Sequence, residues 1–167
     1  SRGAIESYAR VREQARVQRD GREAGRVLHE LLPQESGRGF ERLPAPSPGD
    51  VFFDLEGDPY VEQSGREYLF GWVVVDRAGE PQYRSRWALD AASERAAFEA
   101  FVDEVVERWE ARPDLHVYHF APYEPAALKR LMSRFASRER EVDRLLRAER
   151  FVDLHAVVRQ GLRVGVE

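Results

Sequence analysis

The chain has 167 residues, 43% of them hydrophobic and 34% charged, with a formal net charge of −4. That length supports one buried core, and the acidic balance excludes a protein that holds nucleic acid by bulk positive charge. The absence of cysteine excludes disulfides, thiol nucleophiles and zinc–thiolate sites.

No apolar run approaches the length of a membrane span and no secretory pattern opens the chain, so a cytoplasmic protein without a membrane partner is expected. Of the 26 basic residues only Lys129 is lysine. Arginine suits bidentate phosphate contacts, but so uniform a bias reads first as gene composition.

Residues 1–32 read as a charged helical segment. Its thin apolar stripe is Ile5, Tyr8, Ala15, Val27, Leu28, Leu31 and Leu32, and Asp20-Gly21 is expected to break it in two. Residues 33–49 shift to Pro, Gly and Ser, a semi-stiff linker by composition. The globular domain is expected over 50–167.

That domain opens on Val51-Phe52-Phe53-Asp54-Leu55-Glu56-Gly57-Asp58-Pro59. In a strand, alternation puts Asp54 and Glu56 on one face and Val51, Phe53 and Leu55 on the other. Two adjacent anions on a buried strand repel each other and resist desolvation, so a cation is expected between them. For two hard oxygen ligands, a divalent metal is the natural candidate. The bland alternative is a strand end whose acids face solvent or cap a turn. Asp58-Pro59 itself reads as turn chemistry.

A second, mostly buried strand is expected over 67–76, a turn over 76–80, and an edge strand with one wet face over 82–88, completing an antiparallel meander. Ala97, Phe98, Phe101, Val102, Val105, Val106 and Trp109 recur at three-and-four spacing, which predicts a helix over 92–111. A fourth strand follows over 115–120. Pro125 then predicts a helix start with Glu124 at its N-cap, where an anion is favoured. Packed beside the first strand, that corner would bring Glu124 toward Asp54 and Glu56. A polar helix over 137–149, a short strand over 151–154 and a helix near 155–160 complete an α/β domain with a mixed sheet.

His119 could be a general base, a phosphate contact or a satisfied core histidine, and the last is the expectation. Asp153 is expected to cap the helix that starts at Leu154. His29, His116 and His155 show no ligand spacing. Lys129, Arg130, Arg134, Arg138, Arg140, Arg144, Arg147 and Arg150 form a basic stretch interrupted by four acids. It fits equally a nucleic-acid track or an ion-paired solvated face.

The wording Phe53-Asp54-Leu55-Glu56-Gly57-Asp58-Pro59, then Tyr118-His119-Phe120-Ala121-Pro122-Tyr123-Glu124, then Phe151-Val152-Asp153-Leu154, resembles the DnaQ-like (DEDD) 3′–5′ exonucleases of the ribonuclease H-like superfamily. It is closer still to the YprB-like domain of predicted RecB-family nucleases. The resemblance covers residues 39–167. It implies a ribonuclease H-like fold, a mixed five-stranded sheet with helices on both faces. It also implies hydrolysis of DNA or RNA from a single-stranded end, and a helicase domain in the same polypeptide.

Carried over residue by residue, Asp54 and Glu56 match the first acidic motif and Glu124 the second, so these three become the expected catalytic and metal residues of a two-metal Mg²⁺ or Mn²⁺ site. Glu124 stands where the superfamily usually has aspartate. The third motif, a Tyr or His followed by an acid, finds no match after Gly161, so weak or no activity is expected of this chain alone. The alternative is a non-catalytic nucleic-acid-binding or interaction module of the same fold. A third reading is a structural domain whose first helices dock a partner.

Overall fold

The structure is a computed structural model that describes residues 2–62 and 64–166. Ser1 and Glu167, the outermost residues of the predicted segments, and the side chain of Ile5 lie outside the described residues. In chain order the elements are α1 (Arg2–Ala24), β1 (His29–Leu31), a 3₁₀ turn (Gly39–Arg42), β2 (Val51–Asp58), β3 (Arg66–Val75), β4 (Pro81–Trp87), α2 (Ala91–Ala111), β5 (Val117–His119), α3 (Tyr123–Phe135), α4 (Glu139–Arg147), β6 (Phe151–Asp153), α5 (Leu154–Gly161) and β7 (Leu162–Val164). They form two compact units, Pro44–His155 and Ser1–Leu43 with Ala156–Glu167.

The larger unit holds a mixed five-stranded sheet of order β4-β3-β2-β5-β6. The first three strands are an antiparallel meander, as the sequence predicts, and β5 and β6 join in parallel. β2 is therefore central. Its apolar face, Val51, Phe53 and Leu55, shares one core with Phe98 and Phe101 of α2, Leu128 and Leu131 of α3, and Leu145 of α4. The Phe53 ring stacks on Phe101 at 3.7 Å and Trp72 meets Phe101 edge-on at 5.5 Å. Asp90 starts α2 with a capping box to Ser93.

The start of β2 is pinned by Asp50, whose carboxylate accepts the N–H groups of His116 and Ser47, each at 2.9 Å. Together with the Val51 N–H, which donates to the His116 carbonyl oxygen at 2.9 Å, this side chain ties β2 to the segment leading into β5.

Two expectations fail here. β2 is not buried on both sides: Phe52, on the acid face, is 46% exposed. Nor does β4 have one wet face, because all seven of its residues are exposed, Tyr83 and Trp87 included. Within this unit the first turn of α5 lies toward the opposite face of the sheet, through Leu154 and a Phe120–His155 ring contact.

In the smaller unit, α1 runs unbroken through Asp20-Gly21 and ends at Gly25, whose φ of +62° suits a helix stop. A mid-helix glycine costs about 1 kcal/mol against alanine, yet Gly21 has a packing reason. A Cβ there would sit 3.0 Å from the Arg26 carbonyl oxygen. The predicted second helical piece is instead β1, paired antiparallel with β7. Neither three-residue strand is long enough to carry a readable alternation. The Pro/Gly-rich segment contains the 3₁₀ turn, with Phe40 lying on Gly161.

Candidate active site

The parallel pairing of β2 with β5 decides where the acids fall. Val51 pairs with Val117 and Phe52 with Tyr118, so the chain leaving β5 turns into α3 beside Asp54 and Glu56. On that face Phe52 and Tyr118 stack at 5.1 Å. Beyond them opens a cleft of about 440 Å³, lined in part by Asp54, Glu56, Tyr118, His119 and Phe120.

Glu124 is not the N-cap. α3 begins two residues earlier, with Pro122 as its cap, so Glu124 is the second helical residue and Pro125 the third. Proline is tolerated there because the first four amides of a helix lack intrahelical partners. The consequence for charge is unchanged: a carboxylate in the first turn faces the positive end of the helix. Glu124 is only 3% exposed, and its Oε2 has no hydrogen-bond partner.

The corner before α3 is strained. Ala121 has φ +76°, a conformation that costs a non-glycine residue about 1–2 kcal/mol. It is gripped from both sides. Its N–H donates to Asp153 Oδ1 at 3.1 Å, and its carbonyl oxygen lies 2.6 Å from His119 Nδ1. A carbonyl can only accept, so Nδ1 carries the proton. His119 is thus a satisfied, buried histidine, as expected, and it also stands 3.4 Å from Glu124 Oε2. Asp153 immediately precedes α5 and in addition holds this corner from the next strand.

Asp54 is open to the cleft on one side. Its carboxyl is pushed above the ordinary aspartate range, first by shielding from water, then by the charges of Glu124 and Glu56, and by a hydrogen bond with Glu124. Asp54 therefore lies within electrostatic reach of Glu124 and of Glu56. Among the described residues neither Asp54 nor Glu56 has a cationic partner. Oxygen donors of this kind suit a hard divalent cation, although no three His, Asp or Glu side chains among the described residues already form a metal cage.

Several residues that shape the corner carry no sequence signal. Glu67 is buried directly over Gly57, where a Cβ would meet its Oε2 at 2.3 Å and the Tyr123 hydroxyl oxygen at 2.5 Å. Tyr123 O–H donates to Glu67 at 2.8 Å and Arg130 pairs with it. Gly57 after the acidic pair was the one available hint of a close approach.

The basic stretch resolves toward ion pairs. Arg130, Arg134, Arg138, Arg144 and Arg147 pair with Glu67, Glu94, Asp103, Glu110 and Asp143, and Arg150 donates to carbonyls and lies over Trp109.

A mixed-sheet α/β domain with carboxylates gathered at a strand–helix corner defines the class. The RNase_H_2 family model, of the RNase_H superfamily, matches residues 51–165. The chain belongs to that family, and its fold is ribonuclease H-like. Membership points to nuclease-type chemistry on nucleic acid, and nucleases of the superfamily generally use divalent metals. No curated protein and no solved structure matches the chain. No described helix is long and apolar enough to cross a membrane.

Proposed function

We propose that the larger unit is a divalent-metal-dependent nuclease domain in which Asp54, Glu56 and Glu124 hold Mg²⁺ or Mn²⁺ and carry catalysis. The observation behind this reading is the unneutralised acid corner: Asp54 is raised by like charge, and a buried Glu124 oxygen has no hydrogen bond. A bound pair of metals would supply an activated water and stabilise the leaving oxygen.

The protein's own part is placement. The rigid β2 presents Asp54 and Glu56, the first turn of α3 presents Glu124, and His119 and Asp153 lock the strained residue between β5 and α3. Phe52 and Phe120, exposed beside the acids, offer faces on which unpaired bases can stack, which favours a single-stranded end as substrate. The likeness to YprB-like domains supports 3′–5′ exonuclease action within a larger helicase–nuclease polypeptide.

The second reading, a nucleic-acid-binding module without catalysis, draws on the absence of a ready-made cage among the described residues. Titration with Mn²⁺ separates the two. Preferential binding to the native state raises Tm by an amount that grows with ligand concentration. The nuclease reading expects that rise in the native sequence, its loss in Asp54→Asn, and metal-dependent cleavage of labelled single-stranded DNA or RNA that Asp54→Asn abolishes. An unchanged Tm with Mn²⁺, alongside retained nucleic-acid binding, would sink it in favour of the module.

A further inference from the structure

We infer that the smaller unit carries a second nucleic-acid contact, a basic pocket that takes one nucleotide of a single strand, with Arg10, Arg159 and Arg163 on the phosphate and Phe40 against the base. The pocket has a volume of about 440 Å³, inside the range of roughly 300–1,000 Å³ typical of small-ligand sites. Its walls come from α1, the segment 32–40, and the junction of α5 with β7. Most of that lining precedes residue 51, outside the family match.

Charge marks the ligand. Arg10, Arg38, Arg159 and Arg163 line the pocket against one carboxylate, Glu35, in a chain whose acids outnumber its bases. Arg38 is paired with Glu35, and Arg163 is steadied by Glu30 at 3.3 Å, itself shared with Arg16. Arg159 is exposed and has no ion-pair partner among the described residues. Four guanidinium groups lining one pocket, with carboxylates on only Arg38 and Arg163 among them, suit phosphate, which arginine binds bidentately.

The walls are also preformed. Gly39 has φ +57°, and its N–H donates to Gln160 Oε1 at 3.2 Å. One side of the Phe40 ring lies on Gly161, where a Cβ would come within 2.8 Å of it, yet Phe40 is still 37% exposed. An aromatic ring backed by protein and open to a basic pocket is a stacking platform. The choice of a nucleotide over other aromatic anions rests on the nuclease reading; the pocket does not.

The test is fluorescence anisotropy of labelled oligo-dT with the whole chain in EDTA, where no metal contributes. Arg10→Glu combined with Arg159→Glu is expected to weaken binding at least tenfold. It should also flatten the dependence of log K on log salt by about 1.4, two contacts at about 0.7 each. Arg159→Gln, a milder change on an exposed side chain, should flatten it by about 0.7. Phe40→Leu keeps a packing group over Gly161 and should cost about fivefold or more in affinity through lost stacking.

Unchanged affinity and slope in variants that melt like the native chain overturn the pocket and leave the metal centre standing. No binding of oligo-dT by the native chain in EDTA overturns the pocket, while the metal centre stands or falls by the Mn²⁺ titration and cleavage assay. A polyphosphate that competes as well as an oligonucleotide of equal charge overturns the nucleotide assignment.

Discussion

Two groups of acids in the larger unit are treated in opposite ways. Glu67 and Glu94 are closed off by arginines: Arg130 on the first, Arg134 on the second, with Tyr123 O–H and the Glu67 amide completing the hydrogen bonds. At the other corner Asp54 lies within electrostatic reach of Glu124 and Glu56, none of the three carries an arginine partner among the described residues, and like charge acts on Asp54. The protein is rich in arginine and spends it where acids serve the fold. Leaving the second group uncompensated costs stability, and such a breach of local consistency is expected where function requires it.

The sharpest way to break the comparison is Glu94→Ala. It strands the largely buried Arg134 guanidinium and removes the acceptor for the Glu67 amide. Breaking a buried pair from one side typically costs about 3–5 kcal/mol, and the partial exposure of Arg134 places this case near the lower end. Urea unfolding followed by circular dichroism measures it. A loss below about 1 kcal/mol, within the range of an exposed pair, would erase the distinction between the two acid groups.

A smaller effect of opposite sign is expected at the other corner. Because the folded-state pKa of Asp54 is raised, the folded protein binds its proton more tightly than the unfolded chain does. Stability from this group is full below the unfolded value near 3.8 and falls as pH rises through the folded value. In metal-free buffer Asp54→Asn should therefore melt at or above the native temperature at pH 7, with the gap closing as pH drops below the ordinary aspartate range. A variant less stable than the native chain at pH 7 would mean that Asp54 is structurally paired after all.

The same contrast explains what could be read from the sequence. The alternation in Val51–Glu56 is local and strongly patterned, so the strand, its two faces and the two acids were legible. The meander and α2 were legible for the same reason. Glu124 came from a proline signal that located the helix start to within two residues. Ala121 could not have been found, since an alanine at positive φ has no sequence mark and is held by contacts from His119 and Asp153. Glu67 and Glu94 were hidden too, because their partners lie 63 residues away, for Glu67, and on another helix, for Glu94. The Gly21 break failed because a tertiary contact overrode propensity, and β1 and β7 are too short to show a period.

The smallest expected effect concerns the basic stretch along α3 and α4, where the sequence left a nucleic-acid track and an ion-paired face equally open. Arg147 is four-fifths exposed and pairs with Asp143 one helical turn before it, at 2.7 Å. Such pairs on a helix surface are worth about 0.3–0.5 kcal/mol. Arg147→Ala should therefore lower stability by no more than about 0.5 kcal/mol and leave oligo-dT affinity unchanged in the anisotropy assay. Six of the eight cations in this stretch already have partners within the fold, so a phosphate would have to displace a carboxylate or carbonyl to reach most of them. The pocket containing Arg159 imposes no such exchange at that residue. A tenfold loss of affinity in Arg147→Ala would reverse this ranking and put the strand's path along α4.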